Sequence, residues 1–254
     1  MSTEVQERLD YVEYIFNKMG FSAENPDLFY GWLWWSCQAI VQVINILVLI
    51  TLWSNNKPRN LAYDKKQLYC ATVYTCACFV RAIWPRNDVT NMCFFDGIIS
   101  TTNVGRSLAT VAELCFIAQI KMSFKSLSQD LLLVGRGSIK AHRNIRKFAD
   151  LSWWFIFFAQ CCCWVCVTTT FKLWSAFEES IWTVVMFVYL LIFVYLRPFL
   201  RDDNLAIHRE YTFARRTCNA AIIGLILYVA FMTMVDVPMY IRLHKLDLQN
   251  GKVF

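Results

Sequence analysis

Residues 29–53 have the sequence FYGWLWWSCQAIVQVINILVLITLW, a run of 25 residues with no charged side chain. A helix needs about 20 mostly apolar residues to cross the roughly 30 Å hydrocarbon core of a bilayer. This stretch therefore predicts a transmembrane helix. The rest of the chain has the same character, because hydrophobic residues make up 57% of the 254 residues and the mean hydropathy is +0.38.

Five further apolar blocks follow the first. Windows of about 19 residues place the six spans at residues 29–53, 67–84, 97–120, 151–171, 181–200 and 217–240. The blocks leave no room for a separate soluble core. The predicted fold class is all-α: a polytopic transmembrane helix bundle with about six spans, and with seven as the alternative. The predicted localisation is an integral membrane protein, although the sequence does not indicate which membrane.

The polar ends of the chain delimit three predicted regions: an N-terminal interfacial segment (residues 1–28), the helix bundle (29–240) and a polar C-terminal tail (241–254). In the first region apolar residues recur at helical spacing, which predicts a short amphipathic helix. These residues are Val5, Leu9, Val12, Phe16 and Met19. The segment is acidic and lacks an apolar core, so we do not interpret it as a signal peptide.

Basic residues are concentrated in alternate connecting segments. Residues 54–66 and 201–216 are basic, and residues 121–150 carry seven basic side chains against Asp130 and Asp150. The positive-inside rule then predicts that both termini lie outside the cytoplasm. Anionic lipid headgroups are the partners expected for the basic residues near span ends. These residues are Lys140, Arg143, Arg146, Lys147, Arg215 and Arg216.

Polar residues inside the spans are the candidates for function, because a charged side chain at a helix centre costs about 2.5 to 3.5 kcal/mol on insertion scales. The third span carries Asn103, Arg106, Thr110 and Glu113 at spacings of three, four and three. This spacing places all four on one helix face. We expect that face to point away from lipid.

Other spans supply possible counterparts to this face. Asp236 in the sixth span and the doublet Glu178-Glu179 at the outer end of the fifth are predicted at the same level, where either could pair with Arg106. Only one residue of the doublet is expected to face the bundle. The alternative for the uncharged residues is that they only join helices by hydrogen bonds. The remaining candidates are Gln38, Gln42, Asn45 and Gln160.

No motif identifies a cofactor, and the sequence does not predict a metal site. The three histidines, His142, His208 and His244, fall outside the predicted spans, which argues against zinc or di-iron chemistry. Ten of the eleven cysteines lie within predicted helices and lack zinc-ligand spacing, so we interpret them as small apolar residues.

Three functions are compatible with these patterns. The favoured hypothesis is binding or translocation of a small polar or ionic solute at the residues named above. The second is an intramembrane enzyme acting on a lipid, with Glu113 as general base and Arg106 holding an anionic group. The third is a scaffold that assembles with itself or with a partner membrane subunit. Whether the chain is an enzyme is left open, and nothing points to nucleic acid.

Overall fold

A computed structural model describes residues 26–55, 61–84, 86–87, 92–93, 98–200 and 209–249. The predicted amphipathic helix before residue 26 lies outside them. Nearly all of the described residues are helical. The α-helices are α1 (Pro26–Asn55), α2 (Leu61–Ile83), α3 (Thr102–Leu133), α4 (Ile139–Thr169), α5 (Leu173–Leu196), α6 (Arg209–Phe231) and α7 (Val237–Gln249).

Within the described residues, five helical segments are long and apolar enough to cross a membrane. This result confirms the helical class and is consistent with a membrane protein. Each segment overlaps one of the predicted spans. The five are Trp32–Ser54, Thr102–Leu133, Ile139–Thr169, Leu173–Leu200 and Arg215–Lys245.

The second predicted span, residues 67–84, lies mostly in α2 but is not among these five. The helix forms as expected, yet Asp64, Lys65, Lys66 and Arg81 leave it with a short and less apolar central stretch. The predicted span at residues 67–84 therefore remains a prediction.

The chain divides into two compact parts between Ala112 and Glu113. In the first part, α1 and α2 pack antiparallel. The Trp53 indole donates to Thr72 Oγ1 at 2.9 Å near one end, and the Trp35 indole donates to the Ile83 carbonyl at 3.3 Å near the other. Two-residue strands, β1 (Arg86–Asn87) and β2 (Met92–Cys93), pair antiparallel, and a 3-10 turn follows at Ile98–Ser100. These short strands are a minor departure from the all-α prediction.

The core of the second part lies among α3, α4, α5 and α6. Phe124 of α3 stacks on Tyr189 of α5 with ring centroids 4.8 Å apart, and Phe148 of α4 meets the same tyrosine edge-on at 5.2 Å. Cys218 brings α6 into this cluster. The helices thus meet through large aromatic side chains, which pack closely at the interface.

The connection between α3 and α4 is much shorter than predicted. Residues 121–150 were expected to form a basic loop, but α3 continues to Leu133 and α4 begins at Ile139. The helices continue because the buried core does not stop at the ends of the predicted spans, residues 120 and 151. Leu131 of α3 and Ile145 of α4 both lie in it. Gly135 and Gly137 then turn the chain with φ of 72° and 82°, which L side chains rarely adopt.

The last span contains an irregular turn. Residues Met232–Asp236, between α6 and α7, form a π-helix in which the Val237 N–H bonds to the Met232 carbonyl. Pro238 follows directly, and it has no N–H to complete a regular helical bond. The predicted polar tail, residues 241–254, is helical through Gln249.

Candidate functional site

Glu113 is bonded to side chains from two other helices. Its Oε2 accepts a hydrogen bond from Gln160 Nε2 of α4 at 2.6 Å and another from Trp182 Nε1 of α5 at 3.0 Å. Gln160 is 2% exposed and Trp182 is 6% exposed. Glu113 itself is half-buried. A carboxylate taken partly out of water needs such donors, and here two further helices provide them.

The spacing of buried residues on α5 explains why Trp182 points inward. Ser175, Glu178, Trp182 and Tyr189 follow one another at intervals of three, four and seven, and all four are buried. Residues at these intervals lie on one face of a helix. This face therefore presents the polar residues of α5 to the interior of the second part.

Glu178 is the buried member of the glutamate doublet, at 3% exposure, whereas Glu179 is half-buried. Adjacent helical residues point about 100° apart, so the difference agrees with the prediction that one glutamate faces the bundle. Glu178 lies close enough to the Cys162 thiol of α4 to act on it electrostatically. The neighbouring Cys166 accepts a hydrogen bond from Ser175 Oγ at 3.0 Å.

The phenol of Tyr228, on α6, is electrostatically coupled to the acidic residues of the second part. It is within electrostatic range of Glu113, Glu178, Glu179 and Asp236. Asp236 lies in the π-helix and is half-buried. Four residues that the sequence had singled out separately are thus related: Gln160 bonds to Glu113, and Glu113, Glu178 and Asp236 are all within electrostatic range of Tyr228. We call these four, with Trp182 and Tyr228, the carboxylate cluster.

The sequence did not single out Trp182 and Tyr228 as site residues. Trp182 lies near a span end, where a tryptophan is typical of the aromatic belt at the membrane interface. The signal for Trp182 was its position four residues after Glu178. Tyr228 lies eight residues before Asp236, but the π-helix lies between them, so spacing alone did not relate the two.

The other predicted site residues belong to the first part. Gln38 and Asn45 of α1 are exposed and Gln42 is half-buried, while Asn45 Nδ2 donates to Gln42 Oε1 at 3.2 Å. On α3, Asn103 is exposed, whereas Arg106 and Thr110 are half-buried. These six side chains are therefore less enclosed than Gln160 or Glu178. Their participation in a binding site stays a prediction.

The described residues contain no group of three or more His, Cys, Asp or Glu side chains placed to hold a metal ion. The ten cysteines other than Cys93 are free thiols. The chemistry that the carboxylate cluster offers is acid–base and hydrogen-bonding: carboxylates that accept, and an amide, an indole and a phenol that donate.

The chain matches no protein-family model, no curated protein and no solved structure.

Proposed function

We propose that the chain is a multi-pass integral membrane protein that binds or translocates a small polar or ionic solute at the carboxylate cluster. Intramembrane ionisable residues commonly mark such solute paths. They are costly to insert into a membrane and are therefore rare except where they have a function. The presence of five helical segments long and apolar enough to cross a membrane supports a membrane location.

The observation that carries the proposal is the bonding of Glu113. Its Oε2 receives donors from Gln160 and Trp182, which hold the carboxylate in one orientation among three helices. A fixed carboxylate with neighbouring carboxylates and donors suits a small solute that exchanges hydrogen bonds or charge with the protein. A proton or a small cation is the simplest such solute.

The π-helix gives a second line of support. The sequence shows little Gly or Pro interruption in its spans, which argues against the broken helices of many carriers. The last span contains a π-helix at Met232–Asp236, where Asp236 is within electrostatic range of Tyr228. π-Helical turns in α-helices are frequent at functional sites, because they redirect backbone carbonyls and side chains.

Flux measurements in proteoliposomes test this function. Purified protein would be reconstituted into vesicles, and the flux of H⁺, Rb⁺ and glycerol would be followed separately. Glu113→Gln removes the charge and should abolish whichever flux the parent shows. Asp130→Asn is the matched control, since Asp130 is an exposed carboxylate on the same helix and its loss should leave that flux unchanged.

Trp182→Phe provides a second variant, which keeps one aromatic ring and removes the indole donor together with part of the buried side-chain volume. It should lower the flux several-fold while the protein stays monodisperse in detergent. A parent flux that persists in both Glu113→Gln and Trp182→Phe would overturn the proposal. Turnover of a lipid by the purified protein, abolished by Glu113→Gln, would instead favour the enzyme, and loss of a co-purifying membrane subunit would favour the scaffold.

A further inference from the structure

The exposed face of α4 changes from basic to aromatic along its length. Lys140, Arg143 and Lys147 are exposed near its N-terminal end, and Leu151 and Trp154 are exposed next. The intervals between successive residues are three or four throughout, so they form one stripe on the helix surface. Phe158, also exposed, continues the stripe toward the helix centre.

Among the described residues, the salt bridges near this stripe do not involve the three basic residues at its head. No carboxylate in the part of the chain that the structure describes pairs with Lys140, Arg143 or Lys147. The contrast is with α3, where Lys121 Nζ and Lys125 Nζ lie 2.8 and 3.0 Å from the carboxylate of Asp150. The charge of the stripe is thus available to an external anion.

The depth of the residues matches the layers of a lipid leaflet. At 1.5 Å per residue, Lys147 lies about 10 Å and Arg143 about 16 Å along the axis from Trp154. Tryptophan prefers the region near the boundary between headgroups and hydrocarbon. With that boundary at Leu151, Trp154 lies about 4 Å inside it, Lys147 about 6 Å outside it in the headgroup layer, and Arg143 about 12 Å outside it at the aqueous edge of that layer. Phe158, about 6 Å on the other side of Trp154, then lies beside acyl chains.

We propose that this α4 stripe is a binding site for an anionic phospholipid. The headgroup contacts Arg143 and Lys147, with Lys140 adding attraction above them, and the acyl chain lies along Trp154 and Phe158. Half-buried Arg146 adds positive charge nearby. The proposal rests on α4 crossing a bilayer and is independent of the solute site at Glu113.

Quenching of Trp154 by brominated lipid tests the site. The protein would be reconstituted in phosphatidylcholine bilayers containing a fraction of phosphatidylserine, with acyl-chain bromine on one lipid or the other. Subtracting the fluorescence of a Trp154→Phe variant isolates the signal of Trp154 from the other tryptophans. Brominated phosphatidylserine should quench Trp154 more strongly than brominated phosphatidylcholine at equal fraction.

The variant K140Q/R143Q/K147Q should lose this lipid preference. Because each basic residue near an anionic surface contributes about fivefold in affinity, the relative affinity for phosphatidylserine should fall by at least about tenfold. The matched control is K65Q/K66Q, which removes two exposed basic residues from α2 and should retain the preference. Equal quenching by both lipids in the parent, or an undiminished preference in the triple variant, would overturn the proposal.

Discussion

Tyr189 Oη of α5 lies 2.6 Å from Ser152 Oγ of α4, and both side chains are fully buried. Ser152 Oγ also lies 3.0 Å from the carbonyl of Ala149, one turn earlier on its own helix. That carbonyl can only accept, so the serine hydroxyl donates to it and the tyrosine hydroxyl donates to the serine. One chain of bonds therefore fixes the contact between α4 and α5.

Tyr189→Phe should lower the free energy of unfolding by about 1 kcal/mol, since it removes one buried interhelical hydrogen bond and keeps the ring packing. Unfolding in mixed micelles by titration with a denaturing detergent measures the change. A double-mutant cycle with Ser152→Ala should give a coupling of about 0.6 kcal/mol or more. The control is Tyr195→Phe, at an exposed tyrosine of the same helix, which should change the free energy of unfolding little. Zero coupling in the cycle would contradict the hydrogen bond between Tyr189 and Ser152.

Gly137→Ala should destabilise the α3–α4 turn by more than Gly135→Ala. Both glycines have positive φ, so each alanine costs about 1 kcal/mol or more in backbone strain. At Gly137 the new Cβ would also lie 2.6 Å from His142 Nε2, which bonds to the Arg136 carbonyl, whereas at Gly135 it meets nothing within 4 Å. We expect an additional loss of about 1 kcal/mol or more in the same unfolding assay. Equal losses would show that the His142 contact does not constrain the turn.

Asp150→Asn should have a small and salt-dependent effect on stability. The Asp150 carboxylate forms salt bridges with both Lys121 and Lys125, but its side chain is 47% exposed. Ion pairs that are partly exposed to solvent contribute at most about 1 kcal/mol to the free energy of unfolding. The difference between parent and variant should shrink toward zero in 1 M salt, where the screening length is about 3 Å. A loss above about 2 kcal/mol that salt does not reduce would contradict this assignment.

Pro238→Ala should convert the irregular turn of the last span toward a regular α-helix. The alanine supplies the backbone N–H that proline lacks, so it removes the main local reason for the π-helix at Met232–Asp236. Amide hydrogen exchange of residues 232–239 should slow, and any solute flux should fall several-fold because Asp236 is redirected. Pro198→Ala, within the 3-10 turn Arg197–Leu200, is the control and should change neither readout. If amide hydrogen exchange is unchanged in Pro238→Ala, the proline is not the cause of the π-helix.

The sequence alone predicted the helices, because the length and hydropathy of an apolar block depend only on local composition. It also identified Glu113, Gln160, Glu178 and Asp236 as residues that need a reason to lie in apolar segments. Helical spacing tells which residues share a face of one helix, but not which face of another helix they meet.

Only the tertiary structure determined which helix faces contact one another. It joined Gln160 and Trp182 to Glu113, and it placed Tyr228 near Asp236 across a π-helix that the sequence did not predict. It also extended α3 and α4 into the predicted basic loop, where Leu131 and Ile145 are buried in the shared core. The physical reason is the same in each case: burial and hydrogen bonding between helices depend on contacts between residues far apart in the chain, and local periodicity does not specify them.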